Sequence, residues 1–126
     1  MRDRPYISVV DDDASIREAL ANLISSVGYE VELYASAEEF LDSSGASVAD
    51  CLVLDLRMPG MGGLELMRRL AAEERETPVI VITAQGDGNA RDESIKAGAV
   101  AFLNKPFKEE TLLGAIDSAL ALNRRE

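Results

Sequence analysis

Five short runs rich in Val, Ile and Leu, separated by amphipathic stretches, constrain what this chain can fold into more than any other feature. The runs are Tyr6–Val10, Glu30–Tyr34, Cys51–Asp55, Val79–Thr83 and Val100–Leu103. Three of them are nearly continuous in apolar character, which suits central parallel strands covered on both faces. The stretches between them read as helices. The first starts near Ser15 and carries Ile16, Leu20, Leu23, Ile24 and Val27 at helical spacing before Gly28 ends it. The second runs from about Ser36 to Ser43, with Ser36 and Glu39 spaced as a capping box. The third covers about Gly63 to Glu74, with Leu64, Leu66, Met67 and Leu70 on its apolar side. The fourth, about Gly88 to Ala97 and closed by Gly98, is polar and has Ile95 as its large aliphatic residue. The fifth runs from about Lys108 to Leu122 and turns Leu112, Leu113, Ile116 and Leu120 inward. Strands alternating with helices over short connections predict an α/β fold built on a doubly wound parallel sheet. The chain of 126 residues fits one core without a Pro- or Gly-rich linker, so a single domain over residues 1–126 is expected, with no second domain.

Several function classes are disfavoured at once. The formal net charge of -10 repels a phosphate backbone, so no direct nucleic-acid binding is expected, and anionic membrane surfaces are disfavoured for the same reason. No apolar run approaches the ~18 residues of a spanning helix, and the short apolar stretch after Tyr6 stops at three aspartates, unlike a secretory leader. The lone Cys51, flanked by Leu52 and Val53, reads as a small buried residue, and a reducing cytoplasm is the expected location. The chain has no histidine, which excludes His-ligated zinc, a Ser-His or Cys-His catalytic pair and a phosphohistidine carrier.

Polar residues sit where the apolar runs end. Asp11 and Asp12 follow the first run, Asp55 closes the third, Thr83 closes the fourth, and Lys105 lies just past the fifth. In a doubly wound sheet ligands bind outside the carboxyl ends of the strands, so these side chains are expected to converge. Three neighbouring carboxylates press one another towards protonation unless a cation compensates them. Hard oxygen donors without His or thiolate select Mg²⁺, or alternatively Mn²⁺. Asp13, nearest the helix start, reads instead as a helix cap. A metal, a lysine and a small hydroxyl residue around a carboxylate suit phosphoryl transfer, with Asp55 as nucleophile, Lys105 pairing with phosphoryl oxygens and Thr83 donating to one of them. A plain metal site and a structural cluster of loop carboxylates fit the same spacing, and the residues alone leave all three open.

The runs VVDDD at Val9–Asp13, DLRMPGMGG at Asp55–Gly63, ITA at Ile82–Ala84 and NKPF at Asn104–Phe107 together resemble the receiver domain of two-component response regulators. The similarity spans the chain, and DLRMPGMGG with AGAVAFLNKPF is most similar to the nitrogen-fixation regulator branch. The resemblance implies a flavodoxin-like (βα)5 fold with strand order 2-1-3-4-5. It implies Asp55 as phosphoacceptor, Asp11 and Asp12 as the acidic pair for Mg²⁺, and the backbone carbonyl of Arg57 as a further metal ligand. Thr83 becomes the switch hydroxyl, with Phe102 as its aromatic reporter. Ala84, Lys105 and Pro106 form the phosphate pocket, Pro106 through a cis peptide with Lys105. Arg57 and Gln85 flank the site as modulators of dephosphorylation. The implied partner is a sensor histidine kinase or phosphotransfer protein, with an output domain or target protein downstream and a phosphorylation-dependent homodimer as a further expectation. Such a domain is no enzyme in the usual sense, although it catalyses its own phosphotransfer and autodephosphorylation.

Some positions depart from the family pattern. Gly62 stands where relatives mostly carry a capping Asp, Ser or Asn, and Gly60 and Gly63 add flexibility beside it. The fourth helix carries Gly88, Asn89, Arg91, Asp92 and Glu93 where relatives have more aliphatic residues, which puts the usual dimer face in question. The main alternative function is an Mg²⁺-dependent phosphohydrolase with an Asp nucleophile. Such enzymes commonly carry a second Asp two residues on, where this chain has Arg57. A receiver-like interaction module that is never phosphorylated is a third class, and the complete set Asp11, Asp12, Asp55, Thr83 and Lys105 argues against it.

Overall fold

The computed structural model describes residues 4–43, 49–74, 76–84 and 88–123. Strands and helices alternate as β1 (Tyr6–Val10), α1 (Ala14–Ser26), β2 (Glu30–Tyr34), α2 (Ala37–Asp42), β3 (Cys51–Asp55), α3 (Gly63–Ala72), β4 (Val79–Thr83), α4 (Gly88–Lys96), β5 (Ala99–Asn104) and α5 (Glu109–Asn123). All strand pairs are parallel, in the order β2-β1-β3-β4-β5. The expected fold class, strand order and helix number are therefore those of the structure.

The period-2 geometry of a strand sorts the apolar runs onto two faces. Val10, Leu52, Leu54 and Val81 join Phe40 of α2 and Leu66, Met67 and Leu70 of α3 in one core. Ile7, Val9, Val53, Ile80 and Ile82 join Leu20 and Ile24 of α1 and Leu112 and Ile116 of α5 in the other. Both cores need apolar residues along β3 and β4 up to their last residues, Asp55 and Thr83, and every residue of these strands is buried. Each fully buried Leu, Ile or Val contributes about 1.5–3 kcal/mol relative to exposure, so these central strands anchor the domain. Ser8 is the polar interruption: wholly buried on β1, its hydroxyl has no hydrogen-bond partner among the described residues.

Helix boundaries follow their capping residues. Asp13 Oδ1 accepts the N–H groups of Ser15 (2.8 Å) and Ile16 (3.3 Å) and caps α1. Gly28, at φ 93°, ends it in the left-handed region that suits glycine. Ser36 Oγ accepts the Glu39 N–H and caps α2, while Glu39 Oε1 accepts the N–H of Ala35, one residue before the cap, in place of the Ser36 N–H that a capping box would use. Three details differ from expectation. Val27 is the cap after α1 and is exposed, so the apolar stripe of that helix stops at Ile24. Strand β5 is one residue longer at each end, and a register shift against β4 leaves Val100 exposed between Ala99 and Ala101. Ile95 does not anchor α4: it is 47% exposed, and the helix buries Ala90 and Ser94 instead. Ser94 tolerates burial because its hydroxyl donates to the Ala90 carbonyl at 2.8 Å.

Candidate functional site

Asp11, Asp55 and Thr83 stand at the carboxyl ends of the three adjacent strands β1, β3 and β4, and Lys105 follows β5. The sheet order reverses between β1 and β3, which is where such folds leave a crevice. Asp11 is wholly buried, Asp55 is 6% exposed, and Asp12 is exposed. One carboxylate oxygen from each of the three lies within 4.8 Å of the others. This donor set is all hard oxygen, which fits Mg²⁺ or Mn²⁺ and not a thiolate- or imidazole-seeking metal.

Lys105 Nζ lies 2.9 Å from Asp11 Oδ2 and 3.9 Å from Asp55 Oδ2. Its backbone N–H donates to the Thr83 carbonyl at 2.8 Å, so the residue is tied to β4. The Lys105–Pro106 peptide is cis. The Arg57 N–H donates a long 3.4 Å bond to Asp55 Oδ1, leaving that carboxylate lightly held. A cleft of 260 Å³ opens over Asp55, Arg57, Thr83, Ala84 and Lys105. A larger cleft of 350 Å³ lies away from this edge, among Met67, Leu70, Val79, Val100 and Leu122, and brings no comparable cluster of charged groups together.

Burial, followed by the negative charge of Asp11, pushes the Asp55 carboxyl up to about 6, although Lys105 and the Arg57 N–H pull it back. The mutual repression expected of clustered carboxylates is thus present at this residue. Burial likewise pushes the Cys51 thiol up to about 12, which leaves it protonated and unreactive at neutral pH.

The remaining singled-out residues divide. Thr83 is wholly buried at the end of β4, Ala84 is exposed beside it, and half-buried Phe102 packs against the core on the α3 side. Gln85 lies outside the described residues. Gly63 does not lend flexibility as expected from its neighbours. A Cβ there would stand 2.8 Å from the Asp55 carbonyl oxygen and 2.9 Å from Leu56 Cα, so it is a close-approach glycine that lets α3 start against the strand end. Gly62 caps α3 without a side-chain bond, as its residue type implies. Two contacts had no obvious sequence signal. Glu38 Oε2, from α2, accepts the Met61 N–H at 3.1 Å and braces the loop after Asp55. Arg17 Nη1, from α1, donates to the Asp11 carbonyl at 2.7 Å.

Comparison with known proteins agrees with this architecture. Residues 7–117 match the family model of the response regulator receiver domain. The response regulator protein TmoT of Ectopseudomonas mendocina is 47% identical over 116 residues, covering 92% of this chain and 53% of its own length. The transcriptional regulatory protein FixJ of Bradyrhizobium diazoefficiens, a nitrogen-fixation regulator, is 40% identical over 120 residues, covering 95% of this chain and 58% of its own. The solved structure of the response regulator StyR superposes with a TM-score of 0.88 at 48% identity, covering 96% of this chain and 61% of that one. The chain thus spans little more than half the length of these curated relatives, 53% and 58%. Among the described residues no helix is long and apolar enough to cross a membrane. With the acidic cluster, the lysine and the strand order already in place, the match over residues 7–117 makes this chain a member of the response regulator receiver family.

Proposed function

We propose that the domain accepts a phosphoryl group on Asp55 from the phosphohistidine of a sensor histidine kinase or phosphotransfer protein in the bacterial cytoplasm. The observation that supports this best is the convergence of Asp11, Asp12, Asp55 and Lys105 on one strand edge, with Asp55 opening into a cleft. A carboxylate raised to about 6 remains mostly ionised at neutral pH and keeps the nucleophilicity of a weaker acid. An Asp55 oxygen forms the new P–O bond as the P–N bond to the partner's imidazole breaks. Asp11, Asp12, Asp55 and the Arg57 carbonyl would hold Mg²⁺ or Mn²⁺, which when bound supplies charge neutralisation for the transferred group. Lys105 needs only a short movement from Asp11 towards Asp55 to reach phosphoryl oxygens. Ala84 leaves room for them, and Pro106 completes that wall. Arg57 and Gln85 then govern how fast water reaches the acyl phosphate.

Thr83 and Phe102 report the new charge. Thr83 turning to the phosphoryl group vacates space near Phe102, and the surface of α4, β5 and α5 shifts between two arrangements. An output domain or target protein, or a second copy in a phosphorylation-dependent dimer, reads that surface. Mass measurement after incubation with acetyl phosphate and Mg²⁺ tests the reading. Wild type is expected to gain one phosphoryl group and Asp55→Asn none; equal uptake by both would refute Asp55 as acceptor, and sustained turnover of phosphate esters would favour a phosphohydrolase.

A further inference from the structure

Asp11 is engaged through both its backbone and its carboxylate. Its N–H donates to the Tyr34 carbonyl at 3.1 Å, its Oδ1 accepts the Asp13 N–H at 2.9 Å, and its Oδ2 accepts Lys105 Nζ at 2.9 Å. Its carbonyl oxygen takes the 2.7 Å bond from Arg17 Nη1, a charge-assisted contact that reaches from the first turns of α1 back over the helix start. That location is unusual for a cation. The N-terminal end of a helix carries partial positive charge and favours anions, yet α1 has no acidic residue in its first turn and places half-buried Arg17 there. The acidic turn Asp11–Asp13 is the compensation.

We propose that Arg17 is a positioning residue of the site, its guanidinium fixing the Asp11–Asp12 peptide so that exposed Asp12 faces the cation. The inference rests on the phosphoacceptor reading given above. A peptide unit is planar, so the Asp11 carbonyl and the Asp12 N–H turn together. Held at the carbonyl, the unit cannot rotate without breaking the Arg17 bond, so the plane from which Asp12 departs is fixed and only the torsions of Asp12 itself stay free. Among the described residues, no side-chain hydrogen bond sets the direction of Asp12 in another way. Released, Asp12 samples orientations in solvent that do not meet Asp11 and Asp55.

The test uses the whole chain, with Mn²⁺ as the probe because its free form is read directly by electron paramagnetic resonance. Arg17→Ala is expected to weaken Mn²⁺ binding about tenfold, the scale of losing a group that orients a metal ligand. Arg17→Lys, which keeps a cationic donor, is expected to recover most of that loss. Phosphoryl uptake from acetyl phosphate should slow in Arg17→Ala at limiting Mg²⁺ and return to the wild-type rate at saturating Mg²⁺, a split that general destabilisation would not produce. Should Arg17→Ala not fold, Arg17→Met, which fills similar space without a donor, replaces it with the same expected loss. Unchanged Mn²⁺ affinity in a variant whose Asp55 is still phosphorylated overturns the positioning role alone. Absence of Asp55 phosphorylation in wild type overturns the phosphoacceptor reading alone, provided Mn²⁺ binding still falls in the variant. If wild type binds no Mn²⁺, both are overturned.

Discussion

Helices α1 and α4 flank the same strand edge but are held there by different means. Helix α1 is capped by Asp13, buries Leu20 and Ile24 against the sheet and returns Arg17 to the acidic turn. Helix α4 buries only Ala90 and Ser94 and leaves its one large aliphatic residue, Ile95, in solvent. One helix belongs to the site; the other rests beside it. On the phosphoacceptor reading proposed above, the contrast teaches that chemistry and transmission need opposite properties: ligands for a small cation must be rigid, whereas a surface that changes state must be cheap to move.

The contrast can be broken or sharpened at several sites. Ile24→Ala, in the fully buried stripe of α1, is expected to cost about 2–5 kcal/mol in urea unfolding, because it removes apolar burial and leaves a cavity. A loss no larger than that of a surface substitution would show that α1 is as loosely held as α4.

The next effect comes from charge. The Asp55 pKa rises from 3.8 to about 6 on folding, so the folded state binds the proton more tightly. The favourable contribution of the protonated form is complete below 3.8 and is lost as pH rises through about 6. Asp55→Asn has no such titration. In metal-free buffer it should therefore be more stable to urea than wild type at neutral pH, by roughly 1–3 kcal/mol, with the gap closing towards pH 4. A gap that stays constant over this range would mean that Asp55 is not electrostatically stressed. Saturating Mn²⁺ should narrow the neutral-pH gap by stabilising wild type.

Asp13→Ala removes the cap of α1 and is expected to cost about 1 kcal/mol. Smallest of all, Ile95→Ala should change stability by less than about 0.5 kcal/mol. Amide hydrogen exchange completes the comparison: amides in α4 should exchange well before those in α1, and equal protection would remove the basis for treating α4 as the mobile element.

Much of this was legible from residue order. Short, β-branched apolar runs suit strands covered on both sides, and the polar residue ending each run marked the strand edge where Asp11, Asp55 and Thr83 now lie. Caps were equally plain, because Asp13, Ser36 and Gly28 act on backbone a few residues away. The strand order came from family resemblance, since periodicity does not say which strands pair. What stayed hidden depends on contacts between segments far apart. The fit of Gly63 against Asp55 and the reach of Glu38 to Met61 depend on how helices sit on the sheet. The extra residue at Val100 depends on pairing with β4, which no single strand encodes.

Cys51 has a practical consequence. Buried in β3 with its thiol pushed up to about 12, it should ignore maleimides at neutral pH while the fold is intact. A fluorophore could then be attached through a new cysteine in place of Ile95 with the native thiol left alone. On the phosphoacceptor reading proposed above, emission from such a label on α4 would follow phosphorylation in real time, and unwanted labelling of Cys51 would signal unfolding.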